Sequence, residues 1–438
     1  MNLALPPTAG APSLPASRGV AGVLTTGLPG WPIAAVLWGM PLWWVLGLTP
    51  FISFLAFTVM GLLLVGSHRV VLMPGTLPLL ALVGWTLACA VMLDSTLQLV
   101  GFGFRWAMIA AAVVVLVYVT NSRVTEGALL GGVAVIGALV VVGGWLGLLV
   151  PHGGFVTPMA RVMPAALWDN ELVRDLLAPS FAEVQQPWGA DEPFLRPSAP
   201  FPYTNGWGCA IALLVPSLMA FRERCASFWM RAAVWGGLAA TIPPAIATRN
   251  RGMLLILGVI VVAQLIGLAW GGKARSFTML ASVTTLGVAA FVAIGGWERI
   301  QERQALSDTT AGRASIYSKT WETVLNSPVL GFGAPRPSPE IGISLGTQGA
   351  WWTLLFSYGF VGVGLFLAFL VRVLWTTRAA AYSGTRTDGL WLHSLLVGAL
   401  VAGFFYGFDN IHFLLIMVAS AILLRRRAAA DTASLRLP

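Results

Sequence analysis

Two arginines, Arg249 and Arg251, stand one residue apart in ATRNRGMLL, between two long apolar runs. Arg313 follows Gly312 in a second polar stretch, GRASIYSKTWETVLN, with Lys319 on the same stretch and Arg336 beyond it. A guanidinium donates hydrogen bonds in a planar fork and stays charged at any working pH. Arginines gathered at a membrane face therefore suit a phosphate or diphosphate. Charge at membrane depth is costly and usually functional. The plainer reading of Arg249 and Arg251 is a pair snorkelling from a helix end. Arg299, Arg303, Lys319 and Arg336 are interleaved with Glu298, Glu302, Asp308, Glu322 and Glu340, and much of that pattern reads as pairing along a helix surface. Arg313 differs, because it opens an expected amphipathic helix close to where an anion would sit.

The elements that must position these residues follow from composition. The chain has 438 residues, 57% hydrophobic and 10% charged, with a net charge of +9 and a mean hydropathy of +0.81. Soluble chains carry about 25% charged residues, so this one lacks the polar inventory to cover a water-facing surface. Its apolar content excludes disorder, and no basic patch on a soluble fold points to nucleic acid. The expectation is an all-α polytopic membrane protein. A spanning helix needs about 20 apolar residues, and about twelve runs approach that: 32–48, 50–66, 76–93, 102–119, 127–150, 206–221, 232–248, 252–270, 277–296, 350–371, 390–407 and 411–424.

Basic residues favour cytosolic loops. With a cytosolic N-terminus, Arg69, Arg123, Arg222, Arg224, Arg231, Lys273, Arg275, Arg372, Arg378, Arg386 and Arg425–Arg427 all fall inside. Both termini are then cytosolic, most of the net charge is a topology signal, and Arg249 and Arg251 are exceptions on the outer side. The expected organisation is a Pro/Ala-rich tail over 1–31, with no signal-peptide pattern, a membrane domain over 32–424, and a basic tail over 425–438. Two long outer loops interrupt the membrane domain. The loop 151–205 carries an acidic excess and an expected short amphipathic helix over 165–177; the loop 297–349 starts helical and breaks at its prolines and glycines. Cys89, Cys209 and Cys225 have neither metal nor disulfide spacing and read as small core residues. No metal site and no cofactor is expected. Of the 19 Trp, Trp168, Trp188, Trp207, Trp351 and Trp352 lie in or beside the outer loops, where aromatic rings suit sugars and equally the bilayer interface.

Three segments resemble the O-antigen ligase and polymerase superfamily, bacterial envelope enzymes that act on polyprenyl-linked glycans. ATRNRGMLLILGVIV is similar to that family's Ser-Arg-Gly segment opening a span. AGRASIYSKTWETVLNSPVLGFGAP resembles its Gly-Arg, Trp and hydrophobic-Gly-x-Gly pattern, the most specific of the three. QGAWWTLLFSYGFVGVGLFL is similar to the segment in which a histidine precedes the glycines of the next span. The resemblance covers about 245–370. It implies a metal-independent, inverting glycosyl transfer at the outer leaflet of the bacterial inner membrane, from a polyprenyl-diphosphate-linked glycan to a glycan or lipid-linked acceptor. By position it assigns roles to Arg251, with Arg249 as the nearby alternative, and to Arg313. The expected catalytic set is Arg251, Arg313 and Gln348, and the expected substrate contacts are Arg249, Arg251, Arg313, Lys319, Arg336 and Trp351.

One position departs from the pattern: Gln348 stands where the family has its histidine, and an amide is no general base at physiological pH. Three accounts stay open. Gln348 only positions the acceptor; or another outer group, among His152, His412, Asp409 and Glu340, acts as base; or the chain binds a lipid-linked glycan without transferring it. A transporter or flippase for a lipid-linked anion is the competing class, and it predicts charges in mid-span and broken helices. A glycosyltransferase of another fold, dependent on an acid in its first outer loop, is disfavoured by the short turn Leu48-Thr49-Pro50.

Overall fold

Backbone amides have no water to bond in hydrocarbon, so long apolar runs must form helices, and local signals place the ends of these. Prolines occupy the first turn of α1 (Trp31–Trp38), α2 (Met40–Leu46) and α3 (Thr49–Val65), where their missing N–H costs nothing. Side-chain caps open α5 and α6: Ser95 accepts from Gln98 N and Thr125 from Ala128 N. The computed structural model describes residues 27–164, 168, 171–185, 193–293, 295–298, 301, 309–340, 342–382 and 386–434.

Along the chain, α1–α3 are followed by α4 (Thr76–Ala88), which tightens into a 3₁₀ turn over Cys89–Met92, then α5 (Thr96–Asn121) and α6 (Glu126–Leu149). The next segment holds the short α7 (Glu171–Leu177) and an antiparallel pair, β1 (Ala182–Gln185) with β2 (Phe194–Pro197). Then come α8 (Thr204–Arg224), α9 (Phe228–Ala240), α10 (Ile242–Ala247), α11 (Arg251–Trp270) and α12 (Ala274–Ala293). After α13 (Thr309–Val324) and the two-residue ladder β3 (Arg336–Pro337) with β4 (Ser344–Leu345), the chain closes with α14 (Ala350–Tyr382), α15 (Asp388–Phe405) and α16 (Asn410–Ser434).

Among the described residues each apolar run read from the sequence is helical over most of its length, and by length and composition seven helices can cross a membrane: α5, α6, α8, α11, α12, α14 and α15. The remaining runs are shorter, divided or charged. The first is broken at Gly39 and the run before Arg249 at Thr241; α3 and α4 fall short of membrane length; α16 turns basic at Arg425, Arg426 and Arg427. The helix expected over 165–177 is described only as Glu171–Leu177. Arg299, Arg303, Glu302, Asp308 and Trp188 lie outside the described residues.

Packing is closest where glycines face bulky side chains. Gly131 and Gly132 of α6 receive Trp38 and Leu37, the small-against-large contact that lets membrane helices approach. Helix ends gather in two sets. One, here the basic end, joins α6, α8, α15 and α16: Arg426 pairs with Glu126 (2.8 Å) and Asp388 (2.9 Å), and Arg224 with Glu126 (2.6 Å) and Asp388 (2.9 Å). The other, the loop end, collects the two long connections and the residues of the next section.

At the loop end α14 is interrupted. Gly359 has φ 68° and ψ −172°, a conformation essentially restricted to glycine. The freed backbone is taken up by the segment Pro328–Gly333: Phe360 N donates to Pro328 O, Phe332 N to Phe356 O and Gly333 N to Ser357 O, each at 2.8 Å. A Cβ on Gly359 would run into the Val329 carbonyl oxygen, and one on Gly331 into the Phe356 carbonyl. The hydrophobic-Gly-x-Gly segment and the glycine of the following helix thus form one backbone-to-backbone joint.

Candidate functional site

The loop end is organised around a buried arginine that the sequence reading passed over. Arg196, on β2, is 2% exposed. Its Nε donates to Thr248 O (2.8 Å) and its Nη1 to Gln185 Oε1 (2.7 Å). Opposite it in the ladder, Glu183 accepts the Thr204 N–H at 2.8 Å, so β1, β2 and the start of α8 are locked together. Burial lowers the Arg196 pKa; Glu183 and Tyr406 oppose the shift, while the charges of Arg313 and Arg249 add to it. Three guanidinium groups from three separate parts of the chain therefore share one neighbourhood.

Arg249 adopts φ 48°, the left-handed region that few non-glycine residues occupy. It ends the tight connection from α10 and lays its guanidinium 5.2 Å from the Phe194 ring centre. Asn250 caps α11: its Oδ1 accepts the Met253 N–H (3.2 Å) and the Tyr406 hydroxyl, and its Nδ2 reaches Thr204 O at 3.5 Å. Arg251 is the first residue of α11, half-buried. Asn250 thus fixes the turn that presents both flanking arginines, and Tyr406 anchors it from the end of α15.

Arg313 approaches the same point from α13, half-buried. That helix starts at Thr309, so Arg313 lies one turn inside it rather than at its start. The next turn carries Tyr317, which stacks on Trp352 at 4.5 Å. Its hydroxyl donates to Phe404 O (3.2 Å) and to Gln348 O (3.5 Å). Burial raises the Tyr317 pKa, and Arg313 pulls against it. Gln348 is therefore held by its backbone beside Arg313's helix, while its Nε2 donates to Thr347 Oγ1 at 3.3 Å.

The other expected site residues have structural partners. Lys319 pairs with Glu340 at 2.7 Å on the surface. Arg336 pairs with Asp94 (2.8 Å), donates to Met92 O (2.9 Å) and lies 4.6 Å from the Phe332 ring centre; it fastens β3 to the end of α4. Trp351 is 4% exposed and gives its Nε1–H to Leu400 O; its ring packs among Phe366, Phe404 and Phe408. That ring belongs to the core and has no face left for a sugar. Among the bases considered, His412 is fully buried, with Nε2 against Gly206 O (3.0 Å) and Nδ1 against Asp409 (2.8 Å). Asp409 caps α16 through the Ile411 and His412 N–H groups. His152 is exposed.

Beside this group lies a cavity of about 510 Å³, lined by Arg105, Asp409, Asn410, Asn205, Gly206 and Thr347 among others. Arg249, Arg251, Arg313 and Gln348 do not line it. The wall between the two is made of Thr204–Gly206 and Tyr406–Asp409: Thr204 and Tyr406 bond towards the arginines, and Asn205, Gly206, Gly407 and Asp409 face the cavity. No group of three His, Cys, Asp or Glu able to hold a metal ion occurs among the described residues.

Comparison with known proteins returns no relative: no family model and no curated protein matches the chain. Of the residues missed in the sequence, Asn250 carried a signal, being a good N-cap immediately before an apolar run. Arg105 carried one too, as the single charge in GFGFRWAMIAAAVVV. Arg196 and Tyr406 carried none.

Proposed function

We propose that the chain is a membrane glycosyltransferase of the polymerase or ligase kind, which takes a glycan from a polyprenyl-diphosphate donor at the extracytoplasmic face of a bacterial inner membrane. In this reading the apolar runs make about twelve crossings, the basic end is cytosolic, and the loop end holds the active site. The observation that carries it is the grouping of Arg249, Arg313 and Tyr406 about the buried Arg196, with Arg251 on the adjoining turn. Among the described residues Glu183 is the carboxylate that acts on Arg196, and it also accepts the Thr204 N–H. Guanidinium groups gathered in this way match a diphosphate, whose charge grows as it leaves, and donors fixed in advance stabilise that growth most. Gln348, held next to α13 by Tyr317, orients the acceptor. Asp409, which faces the cavity, is the candidate proton acceptor in this reading.

A second reading has observations of its own. Arg105 lies inside an apolar helix, and α14 is broken at Gly359, two features that a carrier for a lipid-linked anion would need. Both readings are tested by Arg313→Ala in cells that depend on this chain for surface glycan. The transferase reading expects long polymer or glycosylated acceptor to vanish while lipid-linked donor accumulates outside and the protein inserts normally. Donor retained on the inner leaflet would favour the carrier; unchanged glycan would exclude the role given to Arg313.

A further inference from the structure

Arg105 is the only charged residue of α5, and the transfer reading leaves it without a role. It lies within the helix's apolar stretch, lines the 510 Å³ cavity, and also lines a smaller chamber of about 130 Å³. The two spaces share Arg105, Met108, Thr353, Gly407 and Phe408, so Arg105 stands at their junction. The larger space has polar groups on its wall, including Thr49, Asn205 and Thr347; the smaller is walled by Leu79, Leu82, Ile109, Phe366 and other apolar side chains.

Two polar atoms around this double cavity are buried without a hydrogen-bond partner, Arg105 Nε and the Thr49 hydroxyl, and the Tyr358 hydroxyl lies against Arg105. Native proteins rarely leave buried polar atoms unpaired, and clusters of them mark places where something else binds. Among the described residues no carboxylate pairs with Arg105. Asp409, the acid on the cavity wall, is taken by His412 and by the helix N–H groups it caps.

We infer that Arg105 anchors a second anion site, which takes the phosphate head of a lipid and seats the start of its hydrocarbon chain in the apolar chamber. A free phosphate would use Arg105 but leave the chamber empty; an uncharged chain would fill the chamber but leave Arg105 and its neighbours unpaired. An amphiphile with an anionic phosphate head satisfies both halves. The site is separate from the Arg196 group, which lies behind the wall of Thr204–Gly206 and Tyr406–Asp409. Two lipid anions held on either side of one thin wall would suit the joining of two lipid-linked chains; that consequence rests on the transferase reading, the binding does not.

The test is direct binding to the purified full-length protein in uncharged detergent, with farnesyl phosphate, farnesol and inorganic phosphate as probes. Farnesyl phosphate is expected to bind saturably, with farnesol at least tenfold weaker and inorganic phosphate weaker still. Arg105→Gln should weaken farnesyl phosphate at least tenfold and leave farnesol unchanged. Thr353→Phe, which fills the waist between the chambers, should weaken both lipids and serves as the test if Arg105→Gln does not fold. Equal affinity for farnesol, inorganic phosphate binding as well as the lipid, or retention by both Arg105→Gln and Thr353→Phe would each overturn the site. Absence of glycosyl transfer with this pattern intact would remove the transferase and leave the site standing.

Discussion

Arg196 is held on both sides, by the Thr248 carbonyl and the Gln185 amide, and keeps its charge in a place where burial opposes it. A buried cation without a full counter-charge is costly, and an anionic ligand relieves that cost. Arg196→Ala is therefore expected to lower glycosyl transfer at least 100-fold, measured with lipid-linked donor and purified protein. Arg196→Lys, which keeps the charge but loses the fork, should fall between the two. Asn250→Ala removes the α11 cap and the Tyr406 partner together. About 1 kcal/mol of stability should be lost from the cap, read as a lower thermal midpoint in detergent, and transfer should fall as Arg249 and Arg251 lose their fixed turn. Arg249, Arg251 and Arg313 were legible in the sequence because a charge beside an apolar run contradicts its surroundings. Arg196 was not, because a single arginine among the polar residues of 151–205 contradicts nothing. Its burial is made by a four-residue ladder and by α10 folding over it, and neither leaves a periodic trace. Trp351 shows the converse: at a span end its ring reads as interfacial or sugar-binding, and only packing shows that it is buried among phenylalanines with its N–H bonded.

Among the elements, the joint between α14 and Pro328–Gly333 positions the most. It ties the end of the second long connection to the interrupted helix, and so sets where Gln348 and α13 lie relative to α15. Gly359→Ala is expected to be strongly destabilising, by about 1–3 kcal/mol for the backbone conformation alone and more for the clash with Val329 O. Gly364→Ala, in the same helix with open space around it, should be neutral or slightly stabilising. Equal effects of the two on thermal midpoint and expression would remove the joint from the account. The glycines of this region were visible in the sequence as a motif; their pairing was not, since it joins backbone to backbone and involves no side chain. Helix positions were legible from apolar run length. Breaks at Gly39 and Thr241 were not, because hydropathy does not register a change of direction inside an apolar run. The start of α13 at Thr309 rather than Gly312 is a boundary of the kind that pattern alone places only to within a few residues.

Across the whole molecule, the two sets of helix ends do different work. At the basic end, Glu126 and Asp388 each receive Arg224 and Arg426, closing four helices with one charge network. Removing one carboxylate from this network leaves two half-buried arginines short of a partner, which is costly. Asp388→Asn is therefore expected to lower the thermal midpoint in detergent, and an unchanged midpoint would reject the network. At the loop end the arginines gather about Arg196 instead, the group proposed to hold an anion.

The central claim is that this cation group holds the diphosphate that leaves when the glycan is transferred. The direct measurement is a reaction in liposomes with the purified chain and a short polyprenyl-diphosphate-linked glycan, counting both the glycan joined to acceptor and the polyprenyl diphosphate released. The account predicts one diphosphate released per glycan transferred, no requirement for a divalent metal, and loss of both products together in Arg196→Ala and Arg313→Ala. Transfer that continues in both variants, or donor that crosses the bilayer intact with no diphosphate released, would contradict it.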